Sequence, residues 1–258
     1  MTRAVWLGHS TVALEVGGVR LLTDPVLGPR IGPLHRRVGP LESVIEHPDA
    51  ILISHLHHDH LDLGSLSLLP RASVIVVPAG GGGLVRSHGF RQVIEVRAGH
   101  SVGIGSATIT AVPARHSGRR TPFGPSAPAL GYVIDGEHRI YFAGDTDLFS
   151  EMAALAVPPL DLAILPVGGW GPTLGGGHLD PERAARALTL LLPRHAFAVH
   201  WGTLWPIGLG RIRPGRYHQP GRRFVEAARR LAPEVLVTLL EPGGELDLPS
   251  DQPHPGAP

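Results

Sequence analysis

The run Ser54-His55-Leu56-His57-His58-Asp59-His60-Leu61-Asp62 sets imidazoles and a carboxylate in an HxHxDH spacing, directly after the apolar stretch Ala50-Ile51-Leu52-Ile53. A buried strand that empties into such a loop can bind two metal ions. His55 and His57 stand two apart, so in extended backbone both rings project to one side and can share an ion. Asp59 and His60 lie past the bend and can face a second. Zinc favours this mixture of imidazole and carboxylate, and iron and manganese also accept these ligand types. An isolated HxH would read as a His-rich surface loop; the longer pattern at a strand end reads as a metal site.

The elements that must position this loop follow from turn and cap signals. Thr11 to Val16 and Val19 to Thr23 flank Gly17-Gly18, which supplies the positive φ values of a tight hairpin turn. A second hairpin turns at Asp135-Gly136, between Gly131-Tyr132-Val133-Ile134 and His138 to Ala143. Asp62 is an N-cap candidate for a short helix ending before Pro70, and Asp180-Pro181-Glu182 starts a stronger helix running through Leu192. Phe224 to Leu231 predicts a further helix with Arg222, Arg223, Arg229 and Arg230 solvated. Gly80 to Gly83, after Val74-Ile75-Val76-Val77, lacks the GxGxxG spacing or GK[ST] ending of a phosphate loop and is expected to be a flexible turn. Residues 1–248 are expected to form one layered α/β domain. The Pro-rich segment 249–258 has no core pattern and is expected to be disordered.

Composition bounds the chemistry. The 258 residues are 43% hydrophobic and 17% charged, enough for a large core. A net charge of +1 gives no general attraction to nucleic acid or anionic membrane, and no long basic tract is present, so a nuclease is disfavoured. All 23 basic residues are arginine, which excludes lysine-based catalysis and leaves arginine as the permanently charged anion binder. The absence of cysteine excludes disulfides, thiolate-bound zinc and thiol nucleophiles. No run reaches the ~20 apolar residues of a spanning helix, and the start Met1-Thr2-Arg3 leads into strand sequence, so the chain is expected to be cytoplasmic.

The HxHxDH run resembles the metallo-β-lactamase superfamily, and three further ligands that this resemblance requires occur in the expected order. His116 follows the strand candidate Thr108-Ile109-Thr110-Ala111-Val112 and would join His55 and His57 on the first ion. Asp145 follows Arg139 to Gly144 and would bridge both ions; His200 closes Ala196-Phe197-Ala198-Val199 and would join Asp59 and His60 on the second. The resemblance implies an αββα sandwich of two mixed β-sheets flanked by helices, with the metals at one edge. Within the superfamily the chain is similar to the branch that contains N-acyl-phosphatidylethanolamine phospholipase D and L-ascorbate-6-phosphate lactonase. The matching segments are Trp6-Leu7-Gly8-His9-Ser10-Thr11, Leu22-Thr23-Asp24-Pro25, the HxHxDH run, Phe142-Ala143-Gly144-Asp145-Thr146, Leu165-Pro166-Val167-Gly168, His178 to Ala184 and His200-Trp201-Gly202-Thr203. The chain departs from the phospholipase in the Pro-, Gly- and Arg-rich stretch from Arg115 to Leu130, so the phospholipid substrate is not carried over.

The expected mechanism uses water held by two zinc ions, which lowers its pKa from 15.7 to about 7 and gives a hydroxide nucleophile near neutral pH. Asp59 would serve as ligand and orienter of that hydroxide. The resemblance places His178, after Gly175-Gly176-Gly177, close to substrate as an electrophile or proton donor; the other reading is a cap for the helix after Asp180. Asp24, Asp62 and His9 are candidates to support the ligands from behind, because metal-bound histidines donate their second N–H to a carboxylate or carbonyl. For Asp62 the alternative is the helix cap, for Asp24 a turn before Pro25, and for His9 a core histidine. Arg115, Arg119 and Arg120 surround His116 and could hold a phosphate or carboxylate, or form a solvated basic loop. The leading expectation is a dinuclear zinc hydrolase acting on a small anionic phosphodiester, followed by a lactonase or other carboxylic ester hydrolase. An oxidoreductase on this fold would usually carry an acidic residue at the position of His57. A regulatory metal-binding protein without turnover is the reading from another class. Oligomeric state is left open.

Overall fold

The computed structural model describes residues 1–38, 47–169, 174–208 and 217–250. Its first sheet has the order β17 (Glu245–Leu248), β1 (Thr2–Gly8), β2 (Thr11–Val16), β3 (Val19–Thr23), β6 (Ala50–Leu52), β7 (Val74–Pro78) and β8 (Val93–Val96). The second runs β16 (Leu236–Thr238), β14 (His195–Val199), β13 (Leu162–Pro166), β12 (Arg139–Phe142), β11 (Leu130–Asp135), β10 (Ala107–Pro113) and β9 (Ser101–Ile104). A small third sheet joins β15 (Leu204–Pro206), β5 (Leu34–Arg36) and β4 (Arg30–Ile31). Both expected hairpins are present, as β2–β3 and β11–β12.

Strand residues alternate between two apolar layers, as the period of two requires. Ala4, Trp6, Ala50, Leu52 and Val76 face the core shared with the second sheet. Val5, Leu7, Ile51, Ile53, Ile75 and Val77 face outward into a separate cluster with Leu66, Val85 and Phe90. That cluster covers the first sheet with α1 (Leu63–Leu66) and α2 (Gly82–Arg86). The second sheet is backed by α3 (Pro181–Leu191) and α4 (Pro220–Leu231), whose Leu188, Leu191 and Phe224 join the shared core. Two sheets between two helical layers make the expected αββα sandwich. No described helix is long and apolar enough to cross a membrane.

The caps follow the sequence closely. Asp62 accepts the Ser65 N–H ahead of α1, and Asp180 accepts the Arg183 N–H ahead of α3, where Pro181 fits the first turn. Two boundaries differ from expectation. Gly82 and Gly83 open α2 and are not only a flexible turn, because the apolar Leu84 and Val85 give this segment a face to pack. The last helix begins four residues before Phe224, at Pro220, a residue preorganised for a helix start. Of the 249–258 tail, residues 251–258 lie outside the described residues.

Strand direction decides where the chemistry collects. β1 is antiparallel to β2 and β2 to β3, while β3 is parallel to β6; hence β1, β3 and β6 all end at the same edge of the first sheet. By the same reasoning β10, β12, β13 and β14 end at one edge of the second. The two edges are laced together: His200 donates its N–H to His9 O at 2.8 Å, Leu130 N–H to Ser54 O at 2.9 Å, and the Tyr132 hydroxyl to Ile53 O at 2.7 Å. Gly144 sits in this seam with φ 58°. A Cβ there would stand 2.5 Å from Ser54 Cβ and 3.0 Å from Leu130 O. Left-handed strain and overpacking together make Gly144→Ala cost about 2–4 kcal/mol. Urea unfolding of the variant should show this loss; a midpoint equal to that of the wild type would mean that the seam is not close-packed.

Candidate metal centre

Each of the expected ligands lies just past a strand end. His55 and Asp24 follow β6 and β3, His116, Asp145 and His200 follow β10, β12 and β14, and His9 follows β1. His9, Asp24 and His200 take left-handed backbone, with φ 52°, 34° and 63°. Such values are strained for these residue types, and they turn the side chains sharply inward as the strands end.

Two groups of donor atoms result. His57 Nδ1 lies 2.9 Å from His55 Nε2 and 3.1 Å from His116 Nε2. Beside them, His60 Nε2 lies 3.2 Å from His200 Nε2, and Asp59 Oδ2 is 3.8 Å and 3.6 Å from those two nitrogens. Asp145 Oδ2 stands between the groups, 3.2 Å from His60, 3.3 Å from His200 and 4.0 Å from His116 Nε2. Every one of these residues except His57 and His116 is fully enclosed.

The far side of the rings explains this orientation. His60 Nδ1 meets Asp24 Oδ2 at 2.7 Å, His116 Nδ1 meets Gly177 O at 2.8 Å, and His200 Nδ1 meets Gly168 O at 2.9 Å. His55 Nδ1 meets Ser54 Oγ at 3.0 Å; that hydroxyl donates to Asp24 Oδ2 at 2.6 Å and so accepts from the ring. Four histidines therefore donate outward through Nδ1 and turn Nε2 inward, an orientation assigned from the partners. Asp24 also accepts the Ser54 N–H at 2.7 Å, so one carboxylate orients His60 directly and His55 through a serine. His9 Nε2 meets Asp59 Oδ2 at 2.9 Å and braces that carboxylate. Ser54, Gly168 and Gly177 were missed by the sequence reading: a hydroxyl and two carbonyls carry no motif of their own.

Electrostatics follow from burial. Burial holds the His55 imidazole well below its ordinary pKa, and pushes His116 down to about 4 and His9 to about 3. Burial also opposes charge on His60, but Asp145, Asp24 and Asp59 outweigh it and raise that pKa well above the ordinary value. The carboxyls of Asp59 and Asp145 are penalised by burial as well, yet the surrounding histidines hold both well below the usual carboxylate range. Asp24 is pushed up by burial against the pull of His60.

This donor set fits metal cations. Asp145 Oδ1 is buried and meets no hydrogen-bond donor among the described residues. In the first group two bare Nε2 lone pairs converge on His57 Nδ1, and one proton cannot satisfy all three nitrogens. Nitrogens bound to zinc at about 2.0–2.1 Å in a tetrahedron lie roughly 3.3 Å apart, close to the spacings seen here.

The remaining candidates are placed as follows. His178 Nε2 lies 3.5 Å from Asp145 Oδ2, on the cluster's partly open side; burial opposes charge there, and the hydrogen bond to Asp145 overrides it and raises the pKa. It does not cap α3, since Asp180 does. Asp62 sits apart: its Oδ2 accepts the Ser65 N–H and is bonded to the Ser65 hydroxyl, and it makes no hydrogen bond to a cluster histidine among the described residues. Asp62 therefore serves the helix cap, the alternative role the sequence offered it. The three arginines after β10 have protein partners of their own. Arg115 is drawn to Glu151 at 2.9 Å and lies over the Phe149 ring. Arg120 is bonded to Leu56 O, Leu61 O and His58. Arg119 is exposed, and its guanidinium reaches Pro122 O at 3.4 Å within its own loop.

Comparisons with known proteins agree with this geometry. The family model described as a beta-lactamase superfamily domain matches residues 19–201, a span that holds every expected ligand. A protein of Deinococcus radiodurans described as a metal-dependent hydrolase is 36% identical over 250 residues, covering 94% of this chain and 97% of its own. An N-acyl-phosphatidylethanolamine-hydrolyzing phospholipase D of Caenorhabditis elegans is 31% identical over 231 residues, covering 80% of this chain and 65% of its own. Among solved structures, the metallo hydrolase Igni18 of Ignicoccus hospitalis superposes with a TM-score of 0.70 at 23% identity, covering 95% of this chain and 97% of that one. CmlA, a diiron beta-hydroxylase of Streptomyces venezuelae, superposes at 0.72 with 21% identity, covering 96% of this chain and 54% of that one. These two speak for the fold alone.

The shared role of Asp24 generates a test. Asp24→Asn removes the charge and one of the two acceptor oxygens, so the single amide oxygen cannot serve both the Ser54 N–H and the His60 Nδ1–H, and the serine relay to His55 is disturbed. Metal affinity should fall about 10- to 100-fold, read by competition with a chromogenic chelator, while the far-UV spectrum is kept. Unchanged affinity would show that the carboxylate only shapes the turn before Pro25.

Proposed function

The chain belongs to the β-lactamase superfamily, and from that membership and the donor set we propose a metal-dependent hydrolase that works with two zinc ions. The observation that carries this reading is Asp145, whose Oδ2 lies between both nitrogen groups and whose Oδ1 is buried without a donor. In the proposed arrangement His55, His57 and His116 hold one ion, Asp59, His60 and His200 the other, and Asp145 both. Bound there, the ions would supply an activated water at neutral pH and polarise the substrate oxygen.

The chain's own residues do the rest. Asp59, held by His9 at 2.9 Å, offers a fixed acceptor to an incoming water. His178, on the open side and held 3.5 Å from Asp145 Oδ2, is placed to carry a proton to a leaving group. Iron is the alternative occupant, since the imidazole and carboxylate donors suit it as well and the structural neighbour CmlA is described as diiron.

For the substrate we propose a small anionic phosphodiester, supported by the likeness to a phospholipase D over 80% of the chain. A lactone or other carboxylic ester is the second reading. It is supported by one observation: the guanidinium groups of Arg115 and Arg120 are engaged with Glu151 and with the metal loop, which leaves them less free for a substrate anion.

Elemental analysis of purified protein should give close to two transition-metal ions per chain. Asp145→Ala should lower both occupancy and turnover, and His200→Ala should cut turnover by about 100-fold or more while the protein stays folded. A fully active protein with one ion per chain would reject the two-ion arrangement. Comparing phosphodiesters, lactones and thioesters on metal-quantified protein separates the substrate classes; no hydrolysis of any of them would reject the proposal.

A further inference from the structure

We propose that Arg120 is a positioning residue that clamps the metal-ligand loop from outside and ties it to the Pro- and Gly-rich excursion after His116. The two hydrogens of its Nη1 serve Leu56 O at 2.8 Å and Leu61 O at 2.9 Å, and Nη2 lies 3.1 Å from His58 Nδ1. Leu56 immediately precedes and Leu61 immediately follows the segment His57-His58-Asp59-His60, so one guanidinium spans the part of the loop that carries three of the candidate ligands. Inside that span the chain turns tightly, with the N–H groups of His60 and Leu61 both directed at His57 O, at 3.1 and 2.8 Å.

The arginine is held for this task from its own side. Its N–H donates to Pro125 O at 3.0 Å, and its neighbour Arg119 bridges Ser126, which folds residues 118–127 into a narrow hairpin. Gly118 lets the two arms close: a Cβ there would lie 1.7 Å from Ala127 O. The side chain is partly enclosed, and burial lowers its pKa, but a guanidinium remains charged. Two carbonyls and an imidazole nitrogen lie around it in three directions. A planar fork meets such partners; the single ammonium of a lysine meets fewer of them at once. Both Nη1 hydrogens are committed to backbone carbonyls of the metal-ligand loop, and this commitment to the protein's own backbone is what defines a positioning role.

The inference rests on the metal reading only for its effect on ions; the clamp itself is tested without them. Wild type, R120A and R120K are compared as full chains. In metal-free protein, amide hydrogen exchange at His60 and Leu61 should be about tenfold faster in R120A, the size expected for losing charge-assisted hydrogen bonds, with R120K in between. On adding Co(II), R120A should bind about tenfold more weakly and show an altered visible spectrum, again partly rescued in R120K. Losses in turnover should be alike for an anionic and a neutral ester. Unchanged exchange and an unchanged cobalt spectrum, with KM raised only for the anionic ester, would overturn the clamp and make Arg120 a substrate contact. A wild type that takes up no Co(II) would count against the metal reading, and the exchange comparison would still decide the role of Arg120. If R120A does not fold, exchange in R120K no faster than in wild type overturns the proposal.

Discussion

Three carboxylates, those of Asp24, Asp59 and Asp145, are buried together where the two sheets meet. Removing one ionised carboxylate from water costs several kcal/mol even after relaxation, and three within 4 Å of the same histidine would not stay charged without positive charge among them. Among the described residues the ion-pair partners of Asp24 and Asp145 are histidines, and burial works against a proton on His116 among them and on the neighbouring His55. His60, between all three carboxylates, is raised well above its ordinary value, and His178 is raised beside Asp145. Metal cations meet the remaining demand, because they take the carboxylates and the bare ring nitrogens as ligands at once. The rest of the architecture can be understood as the means of holding these groups in place before any ion arrives.

Holding them requires control of ring orientation as well as position. Strand direction brings the ends of β1, β3, β6, β10, β12 and β14 to one seam, and left-handed backbone at His9, Asp24 and His200 turns three side chains into it. The outward Nδ1 bonds then select the inward face of each ring. Their acceptors come from Asp24, Ser54, Gly168 and Gly177, residues far apart in the chain that the sandwich makes neighbours. The loop from His57 to His60 has no strand to stiffen it. Its carbonyl contacts to Arg120, contributed by a hairpin on the other sheet, supply the missing restraint.

How far the sequence reached depended on whether a residue's role was local. Caps at Asp62 and Asp180, the Gly17-Gly18 hairpin and the strand before His55 are set by neighbours in the chain, and each could be read directly. The sandwich and the positions of His116, Asp145 and His200 came from resemblance, since no spacing rule links strands more than fifty residues apart. Asp24 and Asp62 were equally good candidates to support a ligand on residue type alone. The crossing of β3 beside β6 brings the first to His60, while the start of α1 occupies the second. The arginines of the excursion stayed open between two readings for the same reason: a cationic side chain announces charge, but not that backbone carbonyls of another loop will take up Arg120.

The central claim is that two ions share Asp145. X-ray absorption at the zinc edge, on protein loaded with two equivalents, measures it most directly. The account predicts a first shell of nitrogen and oxygen only, as a chain without cysteine demands, and a metal–metal distance of about 3.5–4 Å that disappears in Asp145→Ala. A zinc spectrum with no metal–metal contribution in the fully loaded wild type would contradict it.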